Sequence, residues 1–309
     1  MAIRKDFSFK SVSGLADISC SSFIPEDKSS VRYVIQIAHG MAEHKERYVK
    51  FAERLCENGF AVYINDHLGH GKSMTSFEER GYFGEKDGWM NFVDDCHRLS
   101  EYAKEEFPGV PYIFFGHSMG SFISRAYTAK YASELAGAVF CGTSGPNPAS
   151  GVGASVASCI AKFKGSHHRS KFIDNLAFGT YNKRCEGRTA FDWLTRDNDI
   201  VDKYIADDYC GFLFTAYGYR DMFNLLTYVS TKDWFAKYPK ELPVLIISGA
   251  EDPVGNYSQG VKVVADKLKE AGKDNVTMHI YDGARHEILN ESACFDKVCS
   301  DIIDWAASL

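Results

Sequence analysis

The residues with the clearest chemical potential are Gly116-His117-Ser118-Met119-Gly120, near the middle of a chain of 309 residues. An apolar run, residues 112–115, precedes them, and a helix-like stretch, residues 122–131, follows. A strand that reverses abruptly into a helix strains the serine between them and crowds the positions two before and two after it, where glycine has no Cβ to clash. The pattern therefore predicts a nucleophile elbow that presents the Ser118 hydroxyl at the tip of a turn.

Ser118 needs a base, because a serine hydroxyl is a weak nucleophile at pH 7 until its proton is removed. Histidine has the side chain whose ordinary pKa lies nearest that pH, and in elbows of this kind an acid and then a histidine follow the serine along the chain. His286 comes after the last predicted strand, residues 275–281, in a loop that contains Gly283. We therefore predict that His286 is the base, and we interpret His279, inside that strand, as a packing residue.

The acid that orients the base is expected at the carboxyl end of a parallel strand, where the catalytic groups of such sheets collect. Asp252 follows the strand-like run of residues 243–248 and is the predicted partner of His286. Asp282 is the rival, but it shares one short loop with His286 and reaches the far ring nitrogen awkwardly. Glu251 and Asp282 are otherwise interpreted as ordinary solvated acids.

Acyl transfer also needs backbone N–H groups that point at the oxygen on which charge develops. The elbow supplies one of them, the N–H of Met119, at the start of the helix. The second is expected from the loop after the strand of residues 33–38, where Met41 N–H is the candidate and Gly40 lets the backbone turn inward. Met41 and Met119 are therefore the predicted donors of an oxyanion hole.

Two further patterns are interpreted as unrelated to ligand binding. Gly71-Lys72-Ser73 looks like the end of a phosphate-binding loop, but Asp66 stands where that motif needs glycine, so we do not expect nucleotide binding. The second is a set of histidines without the short spacing and the thiolate or carboxylate partners that are usual for zinc, namely His39, His44, His67 and His70. No metal and no cofactor are predicted.

The composition is that of an ordinary globular protein, with 45% hydrophobic and 25% charged residues. The formal net charge of -6, from 35 basic and 41 acidic residues, argues against nucleic acid or an anionic membrane surface as an obligatory partner. Nine scattered cysteines without a Cys-x-x-Cys pair indicate reduced thiols, and we recognise neither a signal peptide nor a membrane-spanning run. We expect a cytoplasmic protein whose oligomeric state stays open.

Short apolar runs alternate with helical stretches through most of the chain, which is typical of a mostly parallel α/β sheet flanked by helices. Residues before 30 are interpreted as an antiparallel edge hairpin, and the other predicted strands are residues 33–38, 60–64, 112–115, 135–141, 243–248 and 275–281. Residues 145–238 lack convincing strand runs and are rich in aromatic side chains, so we interpret them as a helical cap inserted over the sheet. The predicted core consists of residues 1–144 and 239–309.

Four segments carry a likeness to a known family, residues 39–48, 65–73, 116–121 and 283–287. The first contains His-Gly-x-x-Glu-His and the second Asp-His-x-Gly-His-Gly-x-Ser. Together they resemble the monoacylglycerol lipase and lysophospholipase branch of the α/β-hydrolase superfamily. A weaker likeness in the cap, in residues 191–197 and 204–210, extends the match over essentially the whole chain.

This resemblance implies the α/β-hydrolase fold and assigns roles to the residues that match the motifs of the family. Ser118 is the implied nucleophile, Asp252 and His286 are its implied partners, and the implied oxyanion donors are Met41 and Met119. Met41 departs from the family, where a smaller residue is often found. Only its N–H takes part, so the implied mechanism survives, with a narrower entrance for the acyl group.

The implied reaction is a two-step acyl transfer, in which an ester acylates the serine and water then hydrolyses the acyl-enzyme. We expect a serine carboxylic ester hydrolase for monoacyl lipid esters of the monoacylglycerol or lysophospholipid type. The alternatives are a carboxylesterase for small or aryl esters, a catalytically silent binding module and an aminopeptidase of the prolyl-iminopeptidase type. The aminopeptidase would hold the free amine of its substrate with cap carboxylates such as Asp197, Asp199 or Asp202.

Substrate specificity is expected to lie in the cap. Apolar residues recur at helical spacing in a segment otherwise rich in Gly, Ser and Ala, namely Val152, Val156, Ile160 and Phe163. This pattern is typical of an amphipathic helix that can serve as a lid and touch a membrane surface transiently. The alternative interpretation is that the stripe packs against the core below it.

Overall fold

The structure is a computed structural model that describes residues 2–309. Its strands are β1 (Ala2–Lys10), β2 (Asp17–Pro25), β3 (Tyr33–Ala38), β4 (Phe60–Asn65), β5 (Tyr112–His117), β6 (Gly137–Cys141), β7 (Val244–Gly249) and β8 (Val276–Tyr281). They form one eight-stranded sheet with the order β1-β2-β4-β3-β5-β6-β7-β8. β1 and β2 form an antiparallel hairpin at one edge, β2 runs antiparallel to β4, and the remaining neighbours are parallel.

Helices connect the strands and cover both faces of the sheet. They are α1 (Val49–Cys56), α2 (Trp89–Glu106), α3 (Met119–Tyr131), α4 (Ser150–Lys164), α5 (Lys171–Phe178), α6 (Asn198–Ala206), α7 (Ala216–Val229), α8 (Lys232–Lys237), α9 (Gln259–Glu270) and α10 (Phe295–Ala306). α4 to α8 all lie between β6 and β7. No helix within residues 2–309 is both long enough and apolar enough to span a bilayer.

The sheet separates two hydrophobic cores because successive side chains of a strand point to opposite faces. In β5, Tyr112 and Phe114 belong to the core formed with α2 and α3, whereas Ile113 and Phe115 belong to the core formed with α1 and α10. Every residue of β5 is buried. A strand buried on both faces reads as a continuous apolar run, which is why the sequence marks it so clearly.

The predicted fold class is confirmed, since the sheet is mostly parallel, flanked by helices and closed at one edge by the antiparallel hairpin. Strand boundaries differ by a few residues from those predicted. The strand expected from residue 135 begins at Gly137, because Leu135 caps a 3-10 turn, Ala132–Glu134. The residues singled out in the sequence lie just after the carboxyl ends of β3, β5, β7 and β8.

Candidate active site

Ser118 sits between β5 and α3 in a backbone conformation with φ 54° and ψ -120°, which is strained for any residue other than glycine. A Cβ on Gly116 would lie 2.0 Å from the carbonyl oxygen of Gly120, and a Cβ on Gly120 would lie 2.0 Å from that of Ala38. Both glycines are therefore required by the close approach of backbone to backbone. The turn leaves Ser118 half-exposed although its neighbours in sequence are buried.

His286 and Asp252 form a buried pair beside this turn. Asp252 is fully buried at the end of β7, and its Oδ2 lies 3.0 Å from Nδ1 of His286, a close contact without the alignment of a good hydrogen bond. The same carboxylate accepts hydrogen bonds from Val254 N at 2.8 Å and Ser248 Oγ at 3.1 Å. Burial raises the pKa of Asp252, but the nearby imidazole and these donors lower it by more, so the net pKa is below its ordinary value. Asp282, the rival acid, is exposed.

The other ring nitrogen of His286, Nε2, is buried and has no hydrogen-bond partner within residues 2–309. His286 and Ser118 line the same cavity, together with Met41 and Met119. His286 thus has one ring nitrogen against a carboxylate and the other without a partner, and it lines the same cavity as Ser118. The structure thus brings together all five residues that the sequence singled out.

Two residues that line the cavity with Ser118, Met41 and Met119, have backbone N–H groups that are candidates for an oxyanion hole. Met119 is the first residue of α3, and the first N–H groups of a helix have no partner inside the helix. Met41 N–H makes no hydrogen bond within residues 2–309. A Cβ on Gly40 would lie 3.2 Å from Cβ of Ser118, so the loop that carries Met41 packs directly on the serine.

A buried polar network lies behind the serine, and sequence reasoning missed it. Nδ1 of His117 lies 3.0 Å from the hydroxyl of Tyr48 and 3.4 Å from Oε1 of Glu43, while its Nε2 lies 3.3 Å from the backbone oxygen of His286. Glu43 also accepts a hydrogen bond from Gly40 N at 2.6 Å. One carboxylate is therefore connected to the Met41 loop, to the elbow and, through His117, to the loop of His286.

The charge of His117 follows from these contacts. Burial lowers the pKa of His117, but the hydrogen bond and negative charge of Glu43 raise it more, so the net pKa lies above its ordinary value. Burial likewise raises the pKa of Glu43, but Arg47 and His117 bring it well below its ordinary value. Glu43 is therefore a carboxylate at neutral pH, and it favours the protonated form of His117, which has an acceptor at each ring nitrogen.

Arg47 connects this network to the histidine loop a second time. Its guanidinium binds both carboxylate oxygens of Glu287 at 2.6 and 2.7 Å and also contacts Glu43 at 2.5 Å. Glu43 and Glu287 are nearly fully buried, and such like charges require a shared cation. The sequence signal that was available for these residues is the likeness itself, since Glu43 and Glu287 stand within two of its four segments.

A cavity of about 550 Å³ opens above Ser118. The sheet side contributes Met41, Met119, Phe122, Val254 and His286, and the α4 to α8 segment supplies a larger apolar set, Val152, Leu176, Phe178, Phe191, Trp193, Phe212, Leu213, Met222, Phe223 and Leu226. Fewer polar side chains line it, among them Asn147, Ser150, Asp174, Asn175 and Asn182. An apolar space with a few polar groups is the usual form of a small-molecule site.

The segment before α6 is fixed to the loop of His286. Arg285 binds the carboxylate of Glu186 at 2.6 and 2.8 Å and the backbone oxygen of Asp192 at 2.8 Å. Glu287 N donates to the backbone oxygen of Leu194 at 2.7 Å. The ring of Trp193 lies 5.2 Å from that of His286. One wall of the cavity therefore packs directly on the loop that contains His286, the predicted base.

The apolar stripe predicted in α4 is not the face that packs. Small residues are buried instead, Gly153, Ala154, Ala157 and Ala161, and this face lies against α7. Ile160 is half-buried against the core, but Val152 is 63% exposed and Phe163 is 79% exposed. The interpretation that the whole stripe packs against the core is therefore wrong, because small side chains allow the helices to approach and turn the larger ones outward.

The loop of residues 66–73 supports the site and does not have the form of a phosphate site. Oδ2 of Asp66 accepts Lys72 N at 2.9 Å, its Oδ1 accepts Lys45 N at 2.8 Å, and its backbone oxygen accepts Ser73 Oγ at 2.8 Å. Backbone N–H groups that would cradle a phosphate are thus used inside the loop. A Cβ on Gly71 would lie 2.3 Å from the carboxyl carbon of Asp66, which explains the glycine.

One of the histidines set aside above does meet an acid and a thiol. Nε2 of His44 lies 2.8 Å from Oδ2 of Asp207, which stands 163 residues later in the chain. With Cys210 they place three metal-ligand atoms within 4.8 Å of one another. The sequence-based statement that His44 lacks such partners is therefore wrong. Burial raises the pKa of the Cys210 thiol, which keeps it protonated. The contact between His44 and Asp207 joins the loop that carries Met41 to the segment between β6 and β7.

Comparison with known proteins identifies relatives that are hydrolases. A family model described as serine aminopeptidase S33 matches residues 29–293. The chain is 28% identical to the monoacylglycerol lipase of Mycolicibacterium smegmatis, over 99% of this chain and 98% of the relative. It is 26% identical to the monoglyceride lipase of Homo sapiens, over 84% of this chain and 76% of the relative.

A solved structure resembles the whole molecule. The thermostable carboxyl esterase of Bacillus coagulans, determined in complex with glycerol, superposes with a TM-score of 0.92 at 31% identity, covering 100% of this chain and 99% of that one. The chain belongs to the serine aminopeptidase S33 family and is an α/β-hydrolase of the monoglyceride lipase branch.

Proposed function

We propose that this protein is a serine carboxylic ester hydrolase that cleaves monoacyl lipid esters, with Ser118 as nucleophile, His286 as base and Asp252 as the orienting acid. The observation that carries the proposal is the position of Ser118 at the base of an apolar cavity of about 550 Å³. The apolar lining of this cavity suits a single acyl chain. Its few polar side chains can bind the alcohol that leaves. Relatives named as lipases of monoacylglycerols support the same substrate class.

In the first step Oγ of Ser118 attacks the ester carbonyl carbon while Nε2 of His286 takes the hydroxyl proton. Charge develops on the carbonyl oxygen, where Met41 N–H and Met119 N–H donate to it. Asp252 stabilises the imidazolium that has formed. The imidazolium then gives its proton to the departing glycerol oxygen, the C–O bond breaks, and an acyl ester of Ser118 remains.

In the second step a water molecule takes the place of the alcohol. His286 removes a proton from it as the oxygen attacks the acyl carbon, and the same two N–H groups bind the second oxyanion. Return of the proton to Oγ of Ser118 breaks the acyl bond and releases the fatty acid. Each residue therefore ends the cycle in the state in which it began.

The aminopeptidase alternative has support from the description of the family model, but the side chains fit it poorly. None of the three carboxylates considered for the amine, Asp197, Asp199 and Asp202, lines the cavity. Asp197 caps α6, and Asp202 pairs with Arg188. Asp174 does line it, but it accepts a hydrogen bond from Tyr219 at 2.6 Å. Glu43 and Glu287 are both already paired with Arg47.

A chain-length series tests the proposal. Glycerol monoesters from acetyl to palmitoyl are compared with an aminoacyl anilide, on the wild type and on Ser118→Ala. We expect kcat/KM to rise about fourfold for each added CH₂, from about 0.8 kcal/mol of apolar burial, until the cavity is full. Ser118→Ala should lose nearly all turnover. A flat or falling series would favour the esterase for small or aryl esters, and preference for the anilide would favour the aminopeptidase.

We further propose that residues 145–238 act as a cap over this site and that α4 and α5 touch the surface of the lipid that supplies the substrate. Val152, Phe163, Phe172 and Leu176 are more than half exposed, and Val152 and Leu176 also line the cavity. Basic residues flank the patch, Lys162, Lys164 and Lys171.

The nine free cysteines agree with the expected cytoplasmic location, where thiols stay reduced.

Sedimentation with vesicles tests the contact with lipid. A Phe163→Ser, Phe172→Ser variant should lose binding to vesicles of phosphatidylcholine with phosphatidylserine and keep its turnover of a short, soluble monoester. Met90→Ser is the control, because Met90 is 43% exposed on α2 and lies outside the patch. Equal vesicle binding by both variants would contradict the proposed contact.

A further inference from the structure

The imidazole of His39 lies directly behind the loop that carries Met41. His39 follows β3 directly and is fully buried. Its Nδ1 lies 2.8 Å from the backbone oxygen of Gly40, and its Nε2 accepts a hydrogen bond from His67 N at 3.0 Å. The ring therefore connects the Met41 loop to the loop of residues 66–73.

These two partners determine which nitrogen of His39 carries the proton. A backbone N–H can only donate, so Nε2 must be the acceptor, and a carbonyl can only accept, so Nδ1 must carry the hydrogen. Burial lowers the pKa of His39 to about 3, which keeps the ring neutral at physiological pH. Protonation of Nε2 would break the bond from His67.

The direction of Met41 N–H follows from this bond through the geometry of the peptide unit. The carbonyl of Gly40 and the N–H of Met41 belong to one planar trans peptide, in which they point in opposite directions. With the carbonyl held by His39, the N–H is turned to the other side of the loop. That N–H makes no hydrogen bond within residues 2–309, and Met41 lines the cavity with Ser118.

His39 is the side chain that holds the peptide between Gly40 and Met41 in its orientation. Glu43 binds Gly40 N, but that N–H belongs to the preceding peptide unit. Without a donor behind it, the carbonyl of Gly40 would be a buried, unsatisfied acceptor, which is unfavourable. Rotation of the peptide would relieve this cost by turning the carbonyl toward the cavity, and it would remove the N–H from the substrate at the same time.

We propose that His39 is a positioning residue of the oxyanion hole, which directs Met41 N–H at the substrate by holding the carbonyl of Gly40 from behind. The inference rests on the proposed function, because it assigns the orientation of one of the two oxyanion donors. His67 contributes to this positioning, since its N–H fixes the tautomer of His39. The rings of His39 and His67 lie 4.2 Å apart, so the pair also packs as a unit.

Two substitutions separate the two nitrogens of the ring. The amide of asparagine reaches the position of Nδ1, so His39→Asn can still donate to Gly40. The amide of glutamine reaches the position of Nε2, so His39→Gln can still accept from His67 but leaves the carbonyl of Gly40 without its donor. We expect kcat to fall about 10²-fold in His39→Gln with little change in KM, and to stay within about fivefold of wild type in His39→Asn.

A spectroscopic readout distinguishes orientation from general damage. The chain has seven methionines, so labelling with ¹⁵N-methionine resolves the amides of Met41 and Met119. Binding of 1-octaneboronic acid, which forms a tetrahedral adduct with the serine, should shift both amides in the wild type and in His39→Asn. In His39→Gln the Met119 amide should shift and the Met41 amide should not.

The outcomes are distinct. If the wild type neither hydrolyses monoesters nor responds to the boronate, the proposed function is wrong and the inference falls with it. If the wild type responds and Met41 shifts equally in both variants, the proposed function stands and the role of His39 is wrong. Should His39→Gln not fold, His39→Asn carries the test alone, because loss of the Met41 shift in that variant also overturns the proposal.

Discussion

The rings of His117 and His286 lie 4.8 Å apart, and Nε2 of His117 lies 3.3 Å from the backbone oxygen of His286. The residue immediately before the proposed nucleophile thus contacts the backbone of the proposed base. The raised pKa of His117 favours a positive charge at this place behind the reacting groups. This contact keeps the elbow and the histidine loop in register.

Glu43→Gln should lower the pKa of His117, because burial alone lowers it and the carboxylate raises it. A histidine with a raised pKa in the folded state stabilises the fold below pH ~6.5, and this contribution is lost as the pH rises through the folded-state value. The free energy of unfolding of the wild type should therefore fall with rising pH above about 6.5, and less steeply in the variant. Urea unfolding at several pH values and NMR titration of His117 measure this. An unchanged titration would contradict the assignment of Glu43 as the cause.

Asp252→Asn should reduce kcat about 10⁴-fold, because an amide favours the wrong tautomer of His286 and does not stabilise its cation. Asp282→Asn is the matched control, since Asp282 also lies between Ser118 and His286 in sequence but is exposed. Its kcat should equal that of the wild type. Steady-state hydrolysis of one monoester by both variants decides between the two acids, and a reversed order would exchange their roles.

The sequence was sufficient for the elbow, because the strand, the glycine spacing and the helix are all local and the steric reason for each glycine is independent of the rest of the fold. It also favoured Asp252 over Asp282 on the position of strand ends. Spacing alone could not find the network of Glu43, Tyr48 and His117, because His117 stands 69 residues from Tyr48 and 74 from Glu43. Such contacts exist only once β3 and β5 are paired.

Helix α4 shows a second limit of sequence reasoning. Periodicity predicts that an amphipathic helix has an apolar stripe, but α4 has a second face of Gly and Ala that is also apolar. Close approach to α7 favours the small residues, and nothing in the spacing ranks the two faces. The bounds of the cap, residues 145–238, remain a prediction that chain-length profiles and cap variants can test.

Glu287→Gln should destabilise the protein by about 1.5–3 kcal/mol, because Arg47 loses its charge-assisted hydrogen bonds to Glu287 but keeps the carboxylate of Glu43 as a partner. Burial raises the pKa of Glu287 but Arg47 lowers it more, so the side chain is charged in the folded state. Asp233→Asn is the control, since Asp233 pairs with Lys237 on the surface and should contribute nothing measurable. Urea unfolding at pH 7 compares the variants. Equal stability would show that the Arg47 network does not hold the loops together.

Gly153→Ala should alter the acyl-chain preference, because a Cβ at this position would lie 2.9 Å from the ring of Phe223. Val152, Gly153 and Phe223 all line the cavity, so a ring displaced by the methyl group narrows the space for the acyl chain. We expect kcat/KM for long monoesters to fall several-fold relative to short ones. Gly151→Ala is the matched control on the same helix, since its Cβ would meet nothing within 4 Å. The ratio of palmitoyl to butyryl hydrolysis should be unchanged there, and an equal ratio in both variants would mean that this wall does not contact the chain.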